Sequence, residues 1–405
     1  MNTLNTNGLI SNKNIYIIML FSNIFLPNIG NKRIYSGIII LFLNILYCIN
    51  LKYKVSYEEK ILVKVFIFQI IFYNFTLLLN NNITSIFEVF KVYINILIPL
   101  LSFHVGRAVI LENKNDKVNI FKSIKYILIL EIIAGVSVIS NLNINNILIK
   151  LYSSFEKYSQ FSNGGIRRAV GTIGNPNNYG SVIAILSLLL LNYYFEYENK
   201  NNIFKKLFII IMQGLTLFCI ILSQSKTALI IYFLLFFYII LKIGKKNKLL
   251  IIFTVIILFI LYNILKNSLL INIINSYFDI NDNKTFGGRT YIWGEYLNLY
   301  RNSNLIHKIF GFGENYILNY DTSVDNNYLA QLISFGIFGL SIYVGKYIIL
   351  FLLNKKNSFT AMINIIIIGM MIIDFTSANN QLMNIEFYLL LGLFYSINSN
   401  NEYLL

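Results

Sequence analysis

The feature that most constrains this chain is the repetition of long apolar runs, such as LFIIIMQGLTLFCIIL at 207–222 and ALIIYFLLFFYIILKI at 228–243. About 20 such residues cross the ~30 Å of hydrocarbon in a bilayer. Across 405 residues the chain is 56% hydrophobic and only 13% charged, with mean hydropathy +0.63. Soluble chains carry about 25% charge, so these runs belong in a membrane. The pattern predicts an all-α polytopic membrane protein with about twelve transmembrane helices. They fall near 15–27, 34–50, 61–79, 85–103, 122–140, 177–195, 207–222, 228–243, 249–266, 329–353, 360–376 and 386–398.

The formal charge of +15 would point to nucleic acid if the basic residues lined a soluble face. Here they cluster in short tracts between apolar runs, which speaks against a nucleic-acid partner and for a membrane orientation signal. With the N-terminus inside, the inner connections hold 18 Lys and Arg against 12 outside, including Lys52, Lys54, Lys245, Lys246 and Lys248. That bias places both termini in the cytoplasm. Cys48 and Cys219 both lie in apolar runs, where a core role outweighs a disulfide or a metal site. The first segment lacks a small-residue cleavage site and is expected to be retained as a span.

This topology leaves two long segments on the outer side, 141–176 and 267–328, the larger one partly helical, within a single membrane domain of residues 1–405. Loops of that length in an economical chain are more often functional than not. The first ends in Arg167, Arg168, Gly171, Gly174, Asn175, Pro176 and Asn177, directly before an apolar run. A guanidinium pair beside a helix N-terminus can receive a phosphate. Lipid headgroups are the alternative partner for the same two arginines. Lys226 follows in Ser223-Gln224-Ser225-Lys226, where snorkelling is the default unless other cations converge on it.

The second outer segment contains Gly287, Gly288, Arg289, Tyr291 and Trp293, the only tryptophan. Arg289 can bind pyrophosphate while Tyr291 stacks on a sugar; for the tryptophan, anchoring at the bilayer interface is the default. Gly311-Phe312-Gly313 has the form of a turn. Asp325, Asn326 and Tyr328 stand at the mouth of the next run, where Asp325 is either a helix cap or a general base. His307 sits in an aliphatic setting that suits a structural role, and His104 lies at a cytoplasmic helix end. The polar stretch from Asp374 to Gln381 either lines the same cavity or caps two helices.

In order, the motifs are Arg168-x-x-Gly171 with Asn175-Pro176-Asn177, Ser223-Gln224-Ser225-Lys226, Gly288-Arg289-x-x-Ile292-Trp293, Gly311-Phe312-Gly313, and Asn326-x-Tyr328-Leu329 with Gly336 and Gly339. Together they resemble the O-antigen ligase and polysaccharide polymerase superfamily of Wzy and WaaL type. The resemblance runs from about 165 to 340. Two positions depart from the ligases: Asp325 stands where they usually carry histidine, and Lys226 where an arginine is usual. The aspartate is compatible with polymerase-type members.

The resemblance implies a bacterial inner-membrane glycosyltransferase that needs no metal, nucleotide or other cofactor. Its donor would be an undecaprenyl-pyrophosphate-linked oligosaccharide, its acceptor a glycan, and its neighbours a flippase, a chain-length regulator and membrane lipids. Asp325 would be the catalytic base. Arg168, Arg289 and Lys226 would grip the pyrophosphate, with Arg167, Asn177, Tyr291, Asn326 and Tyr328 in support. Polymerisation of repeat units is the leading expectation and ligase-type transfer the alternative. A transporter or flippase of lipid-linked sugars would concentrate charge at midplane, whereas apart from Lys64, Lys91, Glu131 and Lys346 the spans are nearly free of charge.

Overall fold

The computed structural model describes residues 12–27, 57–80, 86–108, 114–140, 142–153, 168–196, 203–244, 289–313, 324–354, 359–376 and 381–400. All regular elements among them are helices. In chain order they are α1 (Asn12–Phe25), α2 (Tyr57–Leu79), α3 (Ile86–Ala108), α4 (Lys114–Ser140), α5 (Leu142–Tyr152), α6 (Pro176–Glu196) and α7 (Ile203–Ser223). Then follow α8 (Lys226–Gly244), α9 (Arg289–Asn302), α10 (Leu305–Phe310), α11 (Asn327–Leu353), α12 (Thr360–Thr376) and α13 (Gln381–Asn400). Ten of the twelve expected spans coincide with helices, while those at 34–50 and 249–266 lie outside the described residues.

Among the described residues, three helices, α2, α6 and α11, are long and apolar enough to cross a membrane by length and composition. The helix α6 is the hub. Its residues from Tyr179 to Tyr193 are buried almost without interruption, and it packs against α4, α7, α8 and α12. A helix apolar all round must be buried on all sides, and α6 meets that condition. By contrast α8 leaves Ile230, Phe233, Leu234, Phe237 and Leu241 exposed along one face. In water such a stripe would be a liability; against lipid tails it is the ordinary outer surface.

The most extensive helix pair is α3 with α13. Their backbones approach so closely that a Cβ on Gly392 would lie 2.0 Å from the carbonyl oxygen of Phe103. Small residues at such crossings let helices gain van der Waals contact where lipid supplies no hydrophobic drive. At one end of this pair Arg107 binds Glu58 at 2.9 Å, and His104 Nδ1 meets Glu59 Oε1 at 2.7 Å. The histidine thus has a partner on α2.

The helix α11 is broken. Gly336 has φ 67° and ψ −169°, an extended left-hand conformation that side chains with a Cβ rarely adopt. Residues sixteen apart in a straight helix are separated by about 24 Å. Yet Asn327 Nδ2 lies 3.4 Å from the hydroxyl of Tyr343, and the rings of Tyr328 and Tyr343 are 5.9 Å apart. The two arms, 327–335 and 337–353, therefore fold back on one another.

A break of this kind frees carbonyls that lipid cannot satisfy. Here the Gly311-Phe312-Gly313 turn fills the gap, with Phe312 N donating to Ile333 O and Gly313 N to Ser334 O, both at 2.9 Å. Around the joint, Phe310 and Phe338 pack on Phe72 of α2, while Phe335 packs on Tyr73. A Cβ on Gly336 would meet Ile309 O at 2.3 Å, whereas one on Gly345 meets nothing within 4 Å. Gly336→Ala should therefore destabilise the protein by about 1–3 kcal/mol. A lowered thermal midpoint in detergent, with Gly345→Ala unchanged, is the expected result.

Candidate functional site

The segment 168–177 is a tight turn that enters α6. Gly171 has φ +53°, and a Cβ there would lie 2.3 Å from Glu131 Oε2. Glu131, fully buried on α4, is the anchor of this turn: its Oε2 accepts from Thr172 N at 3.2 Å. The Thr172 hydroxyl sits between Glu131 Oε1 and Ile24 O, and Tyr179 donates its hydroxyl to Glu131 O at 2.8 Å. A buried carboxylate is tolerated only with such partners. The sequence marked Glu131 as a charge within a span but did not reveal its role.

Once the turn is fixed, Arg168 is directed at the end of α7. Its Nε donates to Ser223 O at 2.9 Å, and one terminal nitrogen donates to Asn177 Oδ1 at 2.9 Å and Gln224 O at 3.3 Å. Ala169 N adds a bond to Leu222 O at 3.0 Å. The cation thus complements the negative end of a helix and pairs carbonyls that the helix leaves open. Gln224, with φ 54°, is the one non-glycine residue of positive φ among those described. Lys226 follows at the exposed start of α8, so the two cationic motifs do converge.

The N-terminus of α6 is not open as the sequence had suggested. Asn175 Oδ1 accepts from Asn177 N at 2.9 Å and Asn178 N at 3.4 Å, which caps the helix internally. In the same way Ser225 Oγ accepts from Ala228 N on α8 at 3.2 Å. Arg167 lies outside the described residues.

The second group gathers where α11 begins. Asn326 caps the helix, its side chain accepting from Leu329 N at 3.0 Å. Capping therefore falls to Asn326 and not to Asp325, which stands half-buried just before it. Tyr328 donates its hydroxyl to Met371 O of α12 at 3.0 Å. Arg289 opens α9, and its side chain lies outside the described part of the structure. Along α9, Tyr291 is 71% exposed, with its phenol held above its ordinary pKa first by the hydrogen bond to Glu295. Trp293 packs edge-on against Phe375 at 5.5 Å, and Tyr296 joins Val324, Leu329 and Ile333 in a small core. This seats α9 on the first arm of α11. His307 stacks on Phe312 at 4.5 Å.

Asp374, whose role the sequence left open, proves to be 2% exposed. Its Oδ1 accepts from Asn327 Nδ2 at 2.7 Å, and its Oδ2 accepts from the hydroxyls of Tyr343, at 2.6 Å, and Tyr347. The Lys346 ammonium lies 3.7 Å from the centre of the Tyr343 ring, a cation–π contact. The available signal was an i, i+4 tyrosine pair flanking a lysine in one apolar run and a lone aspartate in the next.

Both groups occupy the same end of the bundle. Phe121 of α4 packs on both Tyr193 at the end of α6 and Phe359 just before α12, and a Cβ on Gly369 of α12 would touch Ile185 of α6, so the two helices run antiparallel and the start of α6 lies toward the end of α12. Asp374 and Met371 then tie that end of α12 to the start of α11. The arrangement is that of a helical membrane protein with its polar chemistry pooled at one face. Among the described residues, no group of three or more His, Cys, Asp or Glu is placed to hold a metal ion.

Residues 211–344 match the family model described as O-antigen ligase. The match begins inside α7 and ends in the second arm of α11, covering Lys226, Arg289 and Asp325; Arg168 lies before it. Over those residues, about a third of the chain, the match supports the resemblance to the O-antigen ligase and polysaccharide polymerase superfamily and a membrane role in glycan transfer. No curated protein matches the chain.

Replacing Arg168 with lysine keeps the charge but loses the fork that spans Ser223, Gln224 and Asn177. With those carbonyls left unpaired, Arg168→Lys is expected to cost about 1–3 kcal/mol of stability. The thermal midpoint of the purified variant measures this directly.

Proposed function

We propose that this protein is a polysaccharide polymerase that joins undecaprenyl-pyrophosphate-linked repeat units on the outer face of the bacterial cytoplasmic membrane. The observation that supports the proposal is that the Arg168–Gln224 turn and the start of α11, which bears Asp325, lie toward the same end of the bundle. Inverting transfer of a glycosyl unit needs a base on the acceptor hydroxyl and positive charge on the departing pyrophosphate. In this reading Asp325 is the base. Its neighbour Asn326 performs the capping of α11.

Lys226 and Arg289 supply charge to the pyrophosphate. Arg168 fixes the turn that presents Lys226 and, through Asn177, the start of α6, while Tyr291 on the exposed face of α9 offers a ring to a sugar. The flippase and chain-length regulator would act beside this enzyme, and both termini would lie in the cytoplasm. The bias of Lys and Arg between the apolar runs supports that orientation.

Ligase-type transfer to a different acceptor is the second reading, favoured by the description of the matching family. Asp325 in place of the usual histidine favours polymerisation. Lengthening of lipid-linked glycan by purified protein supports the polymerase; transfer confined to another acceptor overturns it.

The site assignment is tested by Asp325→Ala, Arg289→Ala and Lys226→Ala at unchanged protein level. Loss of a general base should slow transfer by roughly 10²–10⁴-fold and leave surface glycan at single-repeat length. Normal polymer from all three variants would remove the assignment.

A further inference from the structure

The buried cluster around Asp374 has no task in the proposed reaction, yet it joins a carboxylate, an amide and two phenols. One carboxylate there serves both arms of the broken helix α11. Oδ1 accepts from Asn327 on the first arm, while Oδ2 accepts from Tyr343 and Tyr347 on the second. Lys346 lies over the Tyr343 and Tyr347 rings at 3.7 and 4.7 Å, which sets a positive charge behind the two phenols. Asn327 also approaches the Tyr343 hydroxyl directly at 3.4 Å. The donors thus converge on Asp374 from both sides of the Gly336 break.

A carboxylate so placed is expensive to bury unless its partners are held firmly. The same partners hold the arms together, and the arm that carries Asn327 begins two residues after Asp325. We infer that Asp374 is a positioning residue, which by tying Asn327 to Tyr343 and Tyr347 sets where the first arm of α11 presents Asp325. The inference rests on the proposed role of Asp325 as base. It differs from that proposal in giving Asp374 no contact with substrate and no proton to move.

Two other constraints act on the first arm. The Phe312 and Gly313 amides bind it at Ile333 and Ser334, near the break, and α9 covers it through Tyr296. The first lies far from Asp325, while the second reaches Val324, directly before it, and leaves the tie to α12 to other groups. Tyr328 reaches Met371 O, so the groups that hold Asn327 and Tyr328, Asp374 and Met371, both lie on the last turns of α12. Small misplacements of a reacting group have large kinetic effects, of order 10²-fold for about 1 Å.

The test uses the full-length protein in nanodiscs with a lipid-linked oligosaccharide donor. Asp374→Asn should lower kcat by roughly ten- to a hundredfold while the donor KM stays within about threefold, since only placement of the base changes. Asp374→Glu, which keeps the acceptor charge, should recover part of kcat. A raised KM with unchanged kcat, or unchanged kcat in Asp374→Asn, overturns the inference.

Amide hydrogen exchange gives a second readout that needs no turnover. Protection should fall selectively in 327–335 of Asp374→Asn, with 338–353 and 360–373 kept. Equal loss in all three segments would mark Asp374 as a general brace, and no loss would deny the clamp; either result overturns the inference. Should the wild-type protein transfer no glycan, the proposed function fails, and the exchange pattern alone decides whether Asp374 holds the two arms together.

Discussion

Everything at the polar end of this protein depends on one constraint, that backbone groups released inside a membrane must be paired by the protein itself. At Gly336 the helix α11 releases carbonyls, and the Gly311-Phe312-Gly313 turn returns amides to them. That exchange lets the chain reverse direction. It also brings α10 and α9 onto the first arm of α11, so that these two short helices are attached to the bundle beside the break.

Two buried carboxylates then complete the frame. Glu131 holds the turn that carries Arg168, and Asp374 holds the two arms of α11. Each is surrounded by donors, because an unpaired charge in such a place would cost several kcal/mol. Their positions correspond: each lies on a helix adjoining the hub α6 and fixes a segment that bears a candidate functional side chain. Arg168 extends the same logic to the end of α7, where its guanidinium joins two loops that the sequence places 55 residues apart.

Much of the fold was legible in the sequence because length and hydropathy alone limit what can lie in a bilayer. The helices at 360–376 and 228–243 appear almost where the apolar runs predicted them, since nothing in hydrocarbon competes with the helix. The break in α11 was not legible in this way. Gly336 stands inside an apolar run, and a glycine there is compatible with a continuous helix; only the amides of Phe312 and Gly313 make the alternative stable. The site was legible as a set of residue types and much less as a set of roles. Arg168 reads as a phosphate receiver until its hydrogen bonds to Ser223, Gln224 and Asn177 are seen. Asp325 reads as a cap until Asn326 is found in that position.

The sequence by itself determined that this is a helical membrane protein with polar segments held apart from its apolar runs, because the transfer of apolar residues to lipid depends on composition and length. The order of its motifs was enough to suggest the superfamily. Tertiary structure alone decided which polar groups meet. Asn327, Tyr343 and Asp374 converge across up to 47 residues of chain, and no local pattern records that, because a buried carboxylate is satisfied by donors near it in space, wherever they stand in the sequence.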